Sequence, residues 1–241
     1  MKAFCTLFSI LIASSFFAQS LEGSWQLTHE NGEMLTKNEV IAIYQDGYFA
    51  VGAKEAATNT FLYAYGGDYN FKGRSYSETQ DFNTRSPQRI GKTMDFKVTL
   101  KDDQLELSSG GHTQTWQRRS LKTDALTGNW VITGRERDGK INTMTPGDRR
   151  TIKILSGGRF QWVAFNSATK EFSGTGGGTY SANNGTYTEY ITFFSRDDSR
   201  VGASLQFQYE VKEGQWHHKG NSSKGDPLYE IWSPYEVAYK K

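Results

Sequence analysis

The chain has 241 residues, a formal net charge of +2 at neutral pH, 14% aromatic residues, 25 glycines, four prolines and one cysteine. Such an even balance of charge leaves no basic field for a nucleic-acid partner, and a lone cysteine rules out a disulfide framework. The length admits one large domain or two small ones, and the wealth of Gly, Tyr, Phe and Thr favours β structure.

The first element, residues 1–20 (MKAFCTLFSILIASSFFAQS), reads as a signal peptide. Lys2 supplies the positive start, an apolar run reaches Phe17, and Ala18-Gln19-Ser20 offers small residues for cleavage before Leu21. The run is short of the ~20 apolar residues a spanning helix needs; retention as an N-terminal anchor is the competing reading. Cys5 lies inside this segment, so the mature chain carries no thiol. The expectation is an exported protein (periplasmic, outer-envelope associated or secreted) with no membrane span in the mature chain.

Beyond it the chain repeats itself. With Ile41 placed on Ile152, an offset of 111 residues, Phe49 meets Phe160, Gly66-Gly67 meets Gly177-Gly178, Glu78 meets Glu189, Arg85 meets Arg196, and Phe96 meets Phe207. About 20 of roughly 67 positions agree without a gap, which marks a duplication. Each copy opens on Gly-x-Trp, at Gly23-Ser24-Trp25 and Gly128-Asn129-Trp130, and closes near a second tryptophan, Trp116 or Trp232. The two copies are placed at 21–120 and 126–235, with a short linker between them.

In the first copy the pattern predicts eight short strands, at roughly 23–29, 39–45, 48–54, 61–70, 74–82, 92–101, 104–109 and 112–118. The second copy repeats them, with hairpins at Ser156-Gly157-Gly158, Ala182-Asn183-Asn184-Gly185 and Glu213-Gly214. Gly174-Thr175-Gly176-Gly177-Gly178 resembles a phosphate loop only in composition, because no helical pattern follows to aim backbone N–H groups at an anion. Gly66-Gly67 and Gly177-Gly178 instead read as bulges or sharp strand bends. Sequential hairpins with no crossover helix predict an all-β protein: two tandem eight-stranded up-and-down barrels, closure removing the exposed edges. Period-two alternation points Met94, Phe96, Val98 and Leu100, and likewise Leu205, Phe207, Tyr209 and Val211, toward the lumen. Trp162 and Phe160 share one face of their strand while Val163 and Phe165 share the other, which implies a contact outside the barrel as well.

Gly-x-Trp followed by eight meandering strands in about 100 residues resembles the lipocalin-like (calycin) barrels. The stretches "GNWVITGRERDG", "ILSGGRFQWVAFN", "EFSGTGGGTY", "FFSRDDSRVGASL" and "HHKGNSSKGDPLYEIW" are similar to a family of exported bacterial domains of unknown function. Neither copy has the loop that usually follows the lipocalin tryptophan. A late arginine packs on that tryptophan in the family; Arg118 or Arg119 can serve in the first copy, whereas Ser233-Pro234 follow Trp232 in the second. The resemblance implies fold and export, and transfers no ligand and no catalytic residue.

Candidate chemistry centres on Glu189, which shares parity with Tyr187 and Phe193. A buried carboxylate needs a cation or donors, and Arg196 or Arg200 is the expected partner; Glu78, Arg85 and Arg89 repeat the trio. The ligand-binding set is therefore Glu189, Arg196, Arg200, Tyr187, Trp162, Phe207 and Tyr209, with Glu78 and Arg85 in the first copy. Phe160, Phe172 and Tyr180 extend the aromatic wall. A structural ion pair and a simple aromatic core are the competing readings. His217 and His218 are strand neighbours facing opposite ways, so they do not chelate one ion. With no nucleophile motif, no metal site and no cofactor signature, the sequence reads as a non-enzymatic binding protein for a small amphipathic or apolar molecule. The alternative is a structural module with filled barrels that meets protein or glycan at the cell envelope.

Overall fold

The computed structural model describes residues 20–222 and 224–239, so the segment read as a signal peptide lies outside the described residues apart from Ser20. In the first half the strands are β1 (Gly23–Glu30), β2 (Glu33–Met34), β3 (Asn38–Gln45), β4 (Tyr48–Glu55), β5 (Phe61–Lys72), β6 (Ser75–Asn83), β7 (Thr93–Lys101), β8 (Gln104–Ser109) and β9 (His112–Ser120). The second half has β10 (Gly128–Arg137), β11 (Lys140–Thr143), β12 (Arg149–Ser156), β13 (Arg159–Asn166), β14 (Glu171–Asn183), β15 (Thr186–Phe194), β16 (Ser204–Lys212), β17 (Gln215–Asn221) and β18 (Pro227–Pro234), followed by the one-turn helix α1 (Tyr235–Ala238).

Each half is one antiparallel sheet in sequential order that closes on itself: β1 pairs with both β3 and β9, and β10 with both β12 and β18. These are the two expected eight-stranded up-and-down barrels. One short strand was not anticipated in each: β2 and β11 fold back on the first strand of their barrel as an ear.

Local chemistry sets the register. The β3–β4 hairpin turns on Asp46 and Gly47, both at positive φ, as a two-residue primed turn requires. Further on, the pairing slips between Gly66 and Gly67 and, 111 residues later, between Gly177 and Gly178. A Cβ on Gly67 would stand 2.0 Å from the Thr79 carbonyl oxygen, and one on Gly178 only 1.9 Å from that of Tyr190. Both bulges therefore need glycine for close backbone approach.

Alternate side chains fill each lumen. Trp25, Tyr44, Phe49, Tyr76, Leu105 and Trp116 form one core, and Trp130, Phe160, Tyr187, Phe207, Trp216 and Trp232 the other. Arg118 lies 4.1 Å from the centre of the Trp25 ring and closes one end of the first barrel; in the second, Pro234 occupies the paired position opposite Trp130. Val211 keeps lumenal parity but lies beyond the core and is exposed.

A third apolar cluster joins the barrels. Ile41, Ile43, Ala50 and Phe82 of the first pack on Ile152, Ile154, Val163 and Phe165 of the second. Equivalent residues meet across this interface as about a two-fold axis. Phe61 and Phe172 stack with planes 2° apart, and Ser156 Oγ donates to Gln45 Oε1 at 2.7 Å. Phe172, expected in the lumenal wall, belongs to this interface instead. An asymmetric clasp adds to it: Arg150 on β12 pairs with Asp81 on β6 at 2.7 Å, and the hydroxyls of Tyr48 and of Tyr235 on α1 both donate to that carboxylate.

Candidate functional site

The aromatic packing fills one end of each barrel and leaves the other end open. The first barrel holds a cavity of about 580 Å³ and the second one of about 390 Å³. Both are in the size range of small-molecule sites. They occupy the same place in the repeat. Glu78, Arg85, Phe96, Leu107, Gln114 and Trp116 line the first; Glu189, Arg196, Phe207, His218, Glu230 and Trp232 line the second at matching positions.

In the second barrel the floor is ionic. Lys153 on β12 donates to Glu189 Oε1 on β15 at 2.8 Å, and the Tyr187 hydroxyl donates to the same oxygen at 3.0 Å. The ammonium is also enclosed by the rings of Trp232, Trp216, Tyr187 and Phe160, at 5.2, 5.3, 5.5 and 5.9 Å from their centres. Cation–π attraction and a charge-assisted hydrogen bond together offset the cost of burying both charges. A second carboxylate, Glu230 on β18, accepts from Arg135 and from Trp232 Nε1. Burial opposes its charge, but His218, Arg135 and Lys153 outweigh it and bring its pKa down to about 2. His218 on β17 is held below the usual imidazole range, first by burial and then by Lys153. The Glu230 carboxylate beside it acts in the opposite direction. The His218 Nδ1 stands 3.5 Å from Glu230 Oε2.

In the first barrel the same floor has no lysine: position 42, paired with Trp25 as Lys153 is with Trp130, is alanine. Glu78 is 6% exposed and, among the described residues, accepts from neutral donors, the Tyr76 hydroxyl at 3.1 Å and the Gln80 amide at 2.8 Å. Burial pushes its carboxyl above the usual range, against the lowering effect of those two bonds and of Arg89. Around it stand Tyr44, Tyr63, Tyr65 and Trp116; the Trp116 indole N–H is buried without a partner among the described residues. At the mouth, Glu30 takes the place of Arg135, and Arg85 lies 4.6 Å from the centre of the Tyr63 ring.

Of the residues singled out in the sequence, Glu189, Arg196, Trp162 and Phe207 line one cavity, and Glu78 and Arg85 line the other. Tyr187 lies beneath Glu189 as its hydrogen-bond donor. Tyr209 packs at the edge of the lumenal core outside the cavity lining. The expected pairing of Glu189 with an arginine is corrected. Arg196 reaches over the rim to the Ser173 carbonyl oxygen, and Arg200 pairs with Asp197 in the turn after β15, so the cation is Lys153. Lys153 went unseen because Ile152 and Ile154 beside it are buried too, against the other barrel, which erases the alternation. The Ala42/Lys153 mismatch in the repeat was the available signal. His217 and His218 do face opposite ways: His217 bonds the Tyr229 hydroxyl, while His218 enters the lumen. Among the described residues no three His, Cys, Asp or Glu side chains gather as a metal site, and no helix is long and apolar enough to cross a membrane.

No family profile and no curated protein matches the chain. Among solved structures, a lipocalin-like protein from Bacteroides uniformis aligns over 41% of this chain and 98% of its own, with 20% identity and a TM-score of 0.33. An uncharacterized protein from Bacteroides eggerthii aligns over 42% of this chain and 100% of its own, with 17% identity and a TM-score of 0.33. An uncharacterized protein from Saccharomyces cerevisiae covers 87% of this chain and 97% of its own, at 9% identity and a TM-score of 0.46. The strand order and closure are those of a lipocalin-like barrel, here in tandem.

Proposed function

We propose that the protein is a non-enzymatic binder of small amphipathic molecules, held in the lumens of its barrels. The carrying observation is the coincidence of the cavities. Two copies that have diverged at most positions both keep an opening of several hundred Å³ at the same mouth, with a buried glutamate at the floor and aromatic walls. A barrel kept only for its shape has no reason to preserve that space, since filling a cavity is stabilising. In the second barrel, Trp162, Phe194 and Phe207 would hold the apolar body, with Arg196 at the rim and Glu189–Lys153 at the floor for polar ends. The apolar N-terminal segment supports an exported setting, periplasmic, outer-envelope associated or secreted.

Decan-1-ol titrated into the whole chain, followed by tryptophan emission, tests this. A saturable change is expected, because Trp116, Trp162 and Trp232 line the cavities. Ala164→Phe, which fills the second lumen, should remove part of the signal. The absence of any saturable change, together with only the bare mass in native mass spectrometry of protein from its own host, would overturn the reading in favour of an interaction module.

A further inference from the structure

The second barrel contains an internal template for a ligand. The Lys153 ammonium occupies a socket made of one carboxylate, one tyrosine hydroxyl on that carboxylate, and four aromatic rings. Carried through the repeat, the first barrel keeps most of this socket. Glu78 stands for Glu189, Tyr76 for Tyr187, Phe49 for Phe160 and Trp116 for Trp232; only Trp216 is replaced, by Leu105. The ammonium itself is missing, because Ala42 stands for Lys153.

We propose that the first barrel binds a small primary amine, its ammonium on Glu78 and its apolar body against the cavity's tyrosines and Trp116. This rests on the lumen-binding reading and adds the ligand's chemical class. Among the described residues no lysine, arginine or histidine pairs with Glu78, so its charge lacks the compensation the second barrel supplies from its own chain. The first cavity is also the larger, and Glu78 lies on its wall, within reach of an entering cation. At the mouth, Glu30 replaces Arg135 and removes one repulsive charge from the entry path. Arg85 and Arg89, also at that mouth, disfavour a dication, so the ligand carries a single ammonium. Tyr44 stands on the cavity wall where the second copy has Leu155. Its hydroxyl lies 3.4 Å from that of Tyr76.

The test is calorimetric titration of the whole chain, near neutral pH, with phenethylamine, 2-phenylethanol and 3-phenylpropionate. The amine is expected to bind with one equivalent per chain, and more tightly than its neutral and anionic counterparts. Glu78→Gln should weaken the amine by roughly tenfold or more and leave the alcohol unchanged. Ala42→Lys, which restores the chain's own ammonium, should abolish amine binding; if that variant fails to fold, Glu78→Gln still decides. Equal affinity for amine and alcohol, or an amine affinity unaffected by Glu78→Gln, would overturn the ammonium proposal while leaving lumen binding intact. If none of the three binds, the ammonium proposal falls, and the lumen reading falls with it only if decan-1-ol fails too.

Discussion

The two barrels place a glutamate at the same point of the same lumen and treat it in opposite ways. In the second, Glu189 meets a lysine from its own chain, and the floor is a closed ion pair ringed by aromatics. In the first, Glu78 has neutral donors among the described residues, and burial raises its pKa. The charge difference lies at one position, Ala42 against Lys153. Duplication has kept the backbone and the carboxylate while one copy lacks the lysine that answers it, and an unpaired buried carboxylate is informative only beside its paired counterpart. The interface makes the opposite point. There the repeat packs almost symmetrically through Phe61 and Phe172, and the Arg150–Asp81 clasp breaks that symmetry.

Substitutions at the bulges test what the barrels share. Gly67→Ala and Gly178→Ala each drive a methyl group into a backbone carbonyl, where no side chain can yield. Each should cost more than about 4 kcal/mol or prevent folding, read from denaturant melts and soluble yield. If either were tolerated, the common register would be in question. What divides the barrels appears at the glutamates. Glu189→Gln strands the Lys153 ammonium in the core and should cost about 3–5 kcal/mol. Glu78→Gln strands no charge and should cost nothing by the same measurement. Equal losses at both positions would erase the contrast. At the clasp, Asp81→Asn leaves Arg150 buried without its counter-charge. Its other bonds, to the Gly147 and Asp148 carbonyls and Ser167 Oγ, should limit the loss to about 2–3 kcal/mol. The melt should also broaden as the barrels uncouple; an unchanged, single sharp transition would mean that the apolar interface alone joins them.

Much of the fold was legible in the sequence because repeat and alternation reinforced each other. Strands such as β7 and β16 have one wet face, so Phe96 and Phe207 could be assigned to the lumen. β12 gave no such signal. Its Ile152 and Ile154 lie against the sister barrel and its Lys153 points inward, so both faces are dry and a lysine between two isoleucines reads as a surface residue. Phe172 misled for the same reason, an aromatic committed to the interface rather than the lumen. Arg196 and Arg200 were drawn to Glu189 by nearness in sequence, yet both follow the end of β15 and act at the rim. Among the lumenal polar groups, His218 and Glu230 lie on β17 and β18, where only strand closure against β10 brings them to the site.

Acid titration gives the finest test of the contrast, because the two lumens respond with opposite sign. Glu230 has a folded pKa of about 2 against an ordinary 4.5, so its contribution is present above 4.5 and lost as pH falls from there toward 2. His218, its pKa lowered by burial, adds to this: below its ordinary 6.5 the unfolded chain takes up a proton that the folded chain resists. Both make the second barrel acid-sensitive. Glu78 works the other way. Its folded pKa lies above 4.5, so the unfolded chain ionises first as pH rises, and stability declines from 4.5 up to the folded value. Glu78→Gln should therefore melt above the parent at neutral pH, and the gain should vanish below about pH 4.5, where both forms are uncharged. Glu230→Gln should be less stable at neutral pH, with the deficit shrinking as pH falls below 4.5. Parallel pH profiles for the two variants would mean that the carboxylates share one environment. The contrast between the two lumenal floors would then have no electrostatic basis.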